Sequence, residues 1–267
     1  MTEEVPLTTG WEPHVPVGDT VLRQFVFAYA DRAAATARAA GGTATRTDLA
    51  AYADARSAFL FDNAVVLLQP PTEAGLDAVL AGTGEVFPPD RPWVLLSAWP
   101  TPDLRSLGLS LMGHPPLMLR PPGGAAPEHP EHLMIRRVTN GERLAEFTRV
   151  LVDGYPMPTG SQSTVFTTEL LGGAVDLFVG YVHGEAVACG GAYVAHGLVE
   201  VDWIATLPAH RGRGYGAALT WAAATIEPAL PAVLLASDDG APVYRRLGFY
   251  ALHRCTLWLR DAAAARN

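Results

Sequence analysis

The sequence predicts an α/β protein of the α+β kind, with a mixed, mostly antiparallel central sheet flanked by helices. Three observations carry this. Residues 174–207 hold three apolar, β-branched segments, "AVDLFVGYV", "AVACGGAYVA" and "LVEVDWIATL". Only "HGE" and "AHG" separate them, as short hairpin turns would. Next, the helical stretch "YGAALTWAAATI" lies between the third segment and a further strand, "AVLLAS", which makes a strand–helix–strand crossover. Finally, the closing part of the first half reappears in the second half at an offset of 140 residues.

In chain order, two helices are expected first, "DTVLRQFVFAYADRAAATARAA" (19–40) and "DLAAYADARSAF" (48–59). A strand "NAVVLL", a helix "EAGLDAVLAG" and a strand "WVLLSAW" follow, and the half ends "DLRSLGLSLMGHPPLMLR". The Pro/Gly-rich stretch "RPPGGAAPEHPEH" (120–132) has no periodicity and reads as a linker, dividing the chain into units at 1–125 and 132–262. The second unit opens with a strand "HLMIRRV", a helix "GERLAEFTRVLVDGY", and a polar loop "PMPTGSQST" leading into another helix. The three hairpin strands and the crossover come next, and a short helix "PVYRRLG" and a last strand "FYALHRCTLWLR" close it. The repeat rests on Arg105/Arg245, Leu107/Leu247, Gly108/Gly248, Leu117/Leu257, Leu119/Leu259 and Arg120/Arg260, with "VLLSA" echoed by "VLLAS". Chance sharing of leucines and a C-cap glycine is the competing explanation; the nearly equal offsets favour repetition.

Composition bounds the function. An apolar fraction of 49% with 17% charged residues describes a globular protein with a substantial core. A formal net charge of −8 argues against nucleic acid as a partner and is compatible with a cationic substrate. All nineteen Lys+Arg residues are arginine, which excludes a lysine Schiff base and a lysine-bearing phosphate loop. The alanine and arginine bias points to a GC-rich bacterial genome. Cys189 and Cys255 read as two buried thiols in a reducing cytoplasm, and no Cys/His spacing suggests a metal. The N-terminal "MTEEVPLTTGWEPH" has no apolar signal core. Glu227, Pro228 and Pro231 interrupt the longest apolar run, so no membrane span is expected. The expectation is a cytoplasmic monomer or homodimer.

The sharpest local feature is "AHRGRGYGAAL" (209–219). A helix N-terminus offers about four unpartnered N–H groups at the positive end of the helix dipole. Gly212, Gly214 and Gly216 clear side chains from that end and permit positive φ, while Arg211 and Arg213 add charge. A phosphate, most simply a pyrophosphate, fits such a loop; a glycine-rich cap with solvated arginines is the plainer alternative. The pattern Arg211-x-x-Gly214-x-Gly216, after a strand and Pro208, resembles the R/Q-x-x-G-x-G/A signature of the GNAT superfamily of acyl-CoA-dependent N-acyltransferases. "APVYRRLGFY" resembles that superfamily's Y-x-x-x-G-F segment, and the likeness covers roughly residues 132–260.

This resemblance implies acetyl-CoA as acyl donor and a small-molecule or peptide amine as acceptor. The backbone of Arg211, Gly212, Arg213, Gly214, Tyr215 and Gly216 would hold the pyrophosphate, and Ile204, Ala205 and Thr206 would pair with the pantetheine amides. It further implies that this strand splays from "AVLLAS" and that an N–H near Ala205 polarises the acetyl carbonyl. Ser237 stands where many members have a cofactor-contacting asparagine. Tyr244 matches the general acid, a phenol near pKa 10 being comparable in basicity to the departing thiolate. Leu104 occupies its place in the first half, and "PTEAGL" (71–76) has no glycine signature, so that half is expected to be degenerate and non-catalytic. Glu200 has the spacing of the catalytic glutamate in the histone-acetylating branch. Period-2 alternation puts Glu200, Asp202 and Ile204 on one strand face and Val201, Trp203 and Ala205 on the other. Two carboxylates in an apolar strand need a task or a partner, either as a base or paired to an arginine such as Arg136 or Arg137.

His183, His196 and His210 read as surface histidines, and Trp203 and Trp258 as core. Tyr155 begins the stretch where the superfamily shapes its acceptor pocket. Two other readings stay open. A dinucleotide-dependent oxidoreductase would use Gly212-x-Gly214-x-x-Ala217 with Asp238, but "LPAHR" separates the glycines from their strand and the hairpins deny parallel β-α units. A non-catalytic acyl-CoA sensor would use the same cleft, and the survival of Tyr244 and both carboxylates disfavours it.

Overall fold

The computed structural model describes residues 21–155 and 163–261. The acidic N-terminal stretch and most of the "PMPTGSQST" loop lie outside the described residues. The first half runs α1 (Val21–Ala39), β1 (Thr43–Arg46), β2 (Ala50–Asp54), β3 (Ala64–Leu67), α2 (Glu73–Val86), β4 (Trp93–Ser97), β5 (Ser110–Gly113) and β6 (Pro116–Arg120). The second runs β7 (Leu133–Arg137), α3 (Gly141–Gly154), β8 (Val175–Val182), β9 (Glu185–Ala195) and β10 (Leu198–Thr206). It continues with α4 (Tyr215–Ala224), β11 (Ala232–Leu235), α5 (Ala241–Arg246), β12 (Tyr250–Arg254) and β13 (Thr256–Arg260). Among the described residues, no helix is long and apolar enough to cross a membrane.

Two mostly antiparallel sheets result, ordered β1-β2-β3-β4-β13-β5 and β12-β6-β11-β10-β9-β8-β7. Each has one parallel pair among the described residues, β3/β4 and β10/β11, bridged by α2 and α4. The hairpin turns form as expected: His183-Gly184 and His196-Gly197 all have positive φ, the backbone of a type I′ turn.

Each sheet takes one strand from the other half of the chain. β6 inserts between β11 and β12, and β13 inserts between β4 and β5. The exchange is reciprocal at the level of single hydrogen bonds. Arg120 Nε donates to Leu247 O at 3.1 Å, and Arg260 Nη1 donates to Leu107 O at 3.0 Å. Leu109 N–H reaches Leu104 O as Phe249 N–H reaches Tyr244 O, and Gly108 and Gly248 share φ near +80° (77° and 86°). Every one of these pairs is 140 residues apart, so the leucines and arginines of the sequence repeat occupy equivalent places.

Three sequence expectations are corrected. Residues 50–54 form β2, not a helix: all five are buried between β1 and β3, and this tertiary pairing outweighs alanine's helix propensity. "FYALHRCTLWLR" is two strands in different sheets, divided at buried Cys255. The helix expected after "PMPTGSQST" reduces to a 3-10 turn at Thr168–Leu170.

Helix α1 shows how the two halves are joined. Its buried positions Phe25, Ala28, Tyr29, Arg32, Ala33 and Thr36 recur at helical spacing and place one face in the main core. Arg32 is the exception to that apolar stripe, and it leads directly to the site.

Candidate active site

Strands β10 and β11 are in register only at Val199/Ala232 and Glu200/Val233. Beyond that point β10 continues to Thr206 and β11 to Leu235 without pairing, so the sheet opens into a wedge. The helix N-terminus expected to bind an anion stands past the end of β10. Gly214 is the N-cap of α4 with φ 82°, and no side chain caps it. The first helical bond recorded runs from Ala218 N–H to Gly214 O at 3.0 Å, so the amides of Tyr215, Gly216 and Ala217 precede it. A Cβ on Gly216 would approach Thr206 Oγ1 to 3.3 Å, which ties the loop closely to the strand end. The corresponding helix of the first half is closed: Thr72 caps α2 by accepting from Gly75 N–H at 3.1 Å. Its parallel strands β3 and β4 also stay paired over Ala64–Val66.

The Arg211 side chain is used internally. Its guanidinium donates to Gly154 O at 2.8 Å and to Thr206 O at 3.3 Å, binding the carboxyl end of α3 to the end of β10. The expectation that it simply adds charge to the loop is therefore revised. Arg213 makes one long contact, at 3.5 Å, to Ala209 O.

Strand β10 is kinked at the centre of the site. The β9/β10 register shifts between Asp202 and Ala205, and Trp203 has φ 57°, so a bulge interrupts the pleat. The Asp202 carboxylate holds this bulge by accepting the Trp203 N–H at 2.7 Å. Two glycines on β9 make room for it. A Cβ on Gly191 would lie 2.6 Å from Trp203 Cε3, and one on Gly190 would lie 2.6 Å from Ile204 Cδ1. The bulge corrects the alternation expected from sequence. Glu200 and Asp202 do share a face, since both pair with one arginine. Trp203 turns to that same side, under the Arg32 guanidinium, and Ile204 packs instead with Val201 and α4.

That arginine is Arg32 of α1, not Arg136 or Arg137. Its Nη2 lies 3.0 Å from Glu200 Oε1 and 2.8 Å from Asp202 Oδ2, and its guanidinium stacks on the Tyr29 and Trp203 rings at 4.5 and 4.9 Å. The Glu200 side chain is 3% exposed and Asp202 41%. Burial pushes the Glu200 carboxyl up to about 7, with Arg32 opposing and Asp202 adding to the rise. Burial alone would lower the Arg32 guanidinium, but Glu200 and Asp202 together hold it above its ordinary value. Among the described residues, Glu200 Oε2 is buried without a hydrogen-bond partner.

Glu200, Asp202 and Trp203 line a cavity of about 250 Å³ that both halves build. α1 contributes Tyr29 and Arg32, and the 3-10 turn at Leu60–Asp62 contributes Asp62. The chain after α3 contributes Tyr155, Ser163 and Phe166, and β11 ends at its wall with Ser237 just beyond. Burial raises Asp62 to about 6, although Ser163 O–H and Thr164 N–H donate to its two oxygens at 2.8 and 3.1 Å. The Ser237 hydroxyl accepts Gly240 N–H at 3.1 Å and so starts α5.

Tyr244 is held on α5 beneath Gly240 and beside Phe249, ring centroids 6.1 Å apart. Burial raises its phenol, with Tyr155 and Asp202 adding to the effect. The phenol therefore stays protonated well into alkaline solution, and the expectation of a pKa near 10 is corrected upward.

Ala205 and Thr206 still pair with β9 past the bulge, opposite Cys189 and Ala188. His210 is half-buried rather than on the open surface. Arg32, Tyr29 and Asp62 escaped the sequence reading. A charged residue inside the apolar stripe of α1 was the available signal for Arg32, and the Gly190-Gly191 pair within a strand was the signal for the bulge.

Residues 173–251 match the family model described as the acetyltransferase (GNAT) domain. A GCN5-related N-acetyltransferase from Kribbella flavida superposes with TM-score 0.63 at 22% identity, covering 86% of this chain and 94% of that one. A putative GNAT-family acetyltransferase from Novosphingobium aromaticivorans gives TM-score 0.55 at 17% identity, covering 85% and 96%. A tandem GNAT protein from the clavulanic acid biosynthesis pathway gives 0.52 at 11%, covering 92% and 97%. Among curated proteins no sequence relative matches. These likenesses identify the architecture as the GNAT fold in tandem.

Proposed function

We propose, from the premise that residues 173–251 form a GNAT acetyltransferase domain, that this chain transfers an acetyl group from acetyl-CoA to a primary amine by direct attack. The observation that carries the reading is the uncapped amino terminus of α4 beside a strand pair that has come apart. The amides from Arg211 to Gly216 suit a pyrophosphate, and Ile204, Ala205 and Thr206 present the strand edge along which pantetheine amides pair. Ser237 has a hydroxyl hydrogen left to donate near the same wedge. The division into a degenerate unit at 1–125 and a catalytic unit at 132–262 is part of the proposal. The capped α2 and the paired β3/β4 support it.

Acetyl transfer needs the ammonium deprotonated, the oxyanion stabilised and the thiolate protonated. We assign Tyr244 to the last task, since its raised phenol is always in the acid form. Glu200 takes the amine's proton, because a carboxyl near 7 is partly ionised at neutral pH yet basic enough to accept it. Asp202 orients the bulge and adds negative charge. The strand carboxylates and Tyr244 favour an enzyme over a sensor, and the antiparallel hairpins argue against the oxidoreductase.

Calorimetric titration with coenzyme A tests the reading, with saturable 1:1 binding expected; absence of binding overturns it. The pH profile tests the base. Because Glu200 must be ionised to act, kcat/KM falls as pH drops through about 7. Glu200→Gln is expected to lose that acid limb and to run slower on the plateau. A variant profile with the same inflection would exclude Glu200.

A further inference from the structure

The cavity between the halves has a composition that the transfer reaction does not require. Its walls are aromatic on both sides. Tyr29, Phe59 and Phe61 come from the first half, and Tyr155, Phe166 and Trp203 from the second. The rings touch one another: Phe59 and Phe61 are 5.9 Å apart, and Phe166 meets Trp203 edge-on at 5.4 Å. Against these walls stands one charged cluster, in which Arg32 neutralises one of its two carboxylate partners. With both carboxylates ionised the cluster carries one net negative charge, and Glu200 Oε2 is its buried, unpartnered oxygen. The third carboxylate, Asp62, already accepts one hydrogen bond on each oxygen.

We infer that the acceptor is a monoamine carrying a compact aromatic body, its ammonium at Glu200 Oε2 and its ring among the aromatic side chains of the two halves. The inference rests on the acetyl-transfer reading and names its substrate class. The volume sets the size: about 250 Å³ equals the liquid share of about eight waters at ~30 Å³ each, enough for one ring and a short arm. Aromatic walls reward an apolar, polarisable body over a hydrated chain, and ring pairs add about 0.5–1.5 kcal/mol beyond buried area. A single net charge matches a single ammonium. A long polyamine would bring further cations to a site with one uncommitted carboxylate oxygen.

The test uses the full chain with saturating coenzyme A and compares 2-phenylethylamine, 1,4-diaminobutane and an alanine tripeptide by calorimetry. The aromatic amine is expected to bind at least tenfold tighter than the other two. Phe61→Leu, or Phe59→Leu should that variant not fold, is expected to cut the preference at least threefold while coenzyme A binds as before. Equal or tighter binding of the diamine or the tripeptide overturns the inference. So does failure of the aromatic amine to bind a protein that still binds coenzyme A. If coenzyme A itself fails, the acetyl-transfer reading falls, and the three amine titrations without it still decide the acceptor class by the same tenfold criterion.

Discussion

Tyr244→Phe is expected to lower kcat by about a hundredfold or more, the ordinary contribution of a positioned general acid. The substitution removes one oxygen and leaves the ring where it is, under Gly240 and against Phe249. Stability should therefore change little, and coenzyme A should bind as it does to the native chain. Burial holds the phenol above its usual range, so its ionisation adds no inflection to the rate profile below about pH 10. Steady-state kinetics with a coenzyme A release assay reads the effect. An unchanged kcat would remove Tyr244 from the reaction and reopen the sensor reading, because no other proton donor on α5 faces this site.

Arg32→Met is expected to cost about 3–5 kcal/mol of folding stability at pH 8, the typical penalty for stripping one partner from a buried ion pair. Most of that belongs to Glu200, which is 3% exposed; Asp202 is 41% exposed and solvent screens its share. The sign of the pH dependence follows from the Glu200 carboxyl. Its folded pKa of about 7 lies above its ordinary 4.5, so its contribution to stability is fully present below about 4.5. That contribution is lost as pH rises through 7. Without Arg32 the folded pKa rises further, and the variant's deficit should be smaller at pH 5 than at pH 8. Urea midpoints for both proteins at the two pH values measure this. A deficit equal at both would mean that Arg32 contributes packing against Tyr29 and Trp203 rather than charge.

Much of the second half was legible in the sequence because its signals are local. Hairpin turns at His183-Gly184 and His196-Gly197, and three glycines ahead of α4, are dictated by which residues tolerate positive φ. The sharing of one face by Glu200 and Asp202 also followed from strand periodicity. The reading failed where a non-local contact decided the outcome. Residues 50–54 are alanine-rich and locally helical in character, yet their burial between two strands makes them β2. The alternation along β10 broke at Trp203 because Gly190 and Gly191, on the neighbouring strand, leave space for a bulge.

The sequence by itself determined the tandem GNAT architecture, the open amino terminus of α4 and the identity of the residues placed around it. Each of these follows from chain-local rules: periodicity, turn chemistry, and a repeat at constant offset. Only the tertiary structure decided that β6 and β13 change places, that Arg32 of the first half pairs with the carboxylates of the second, and that the cavity has walls from both. The reason is physical. A buried charge must find an opposite charge within about 4 Å, and which one it finds depends on how distant segments pack, a relation no window of sequence contains.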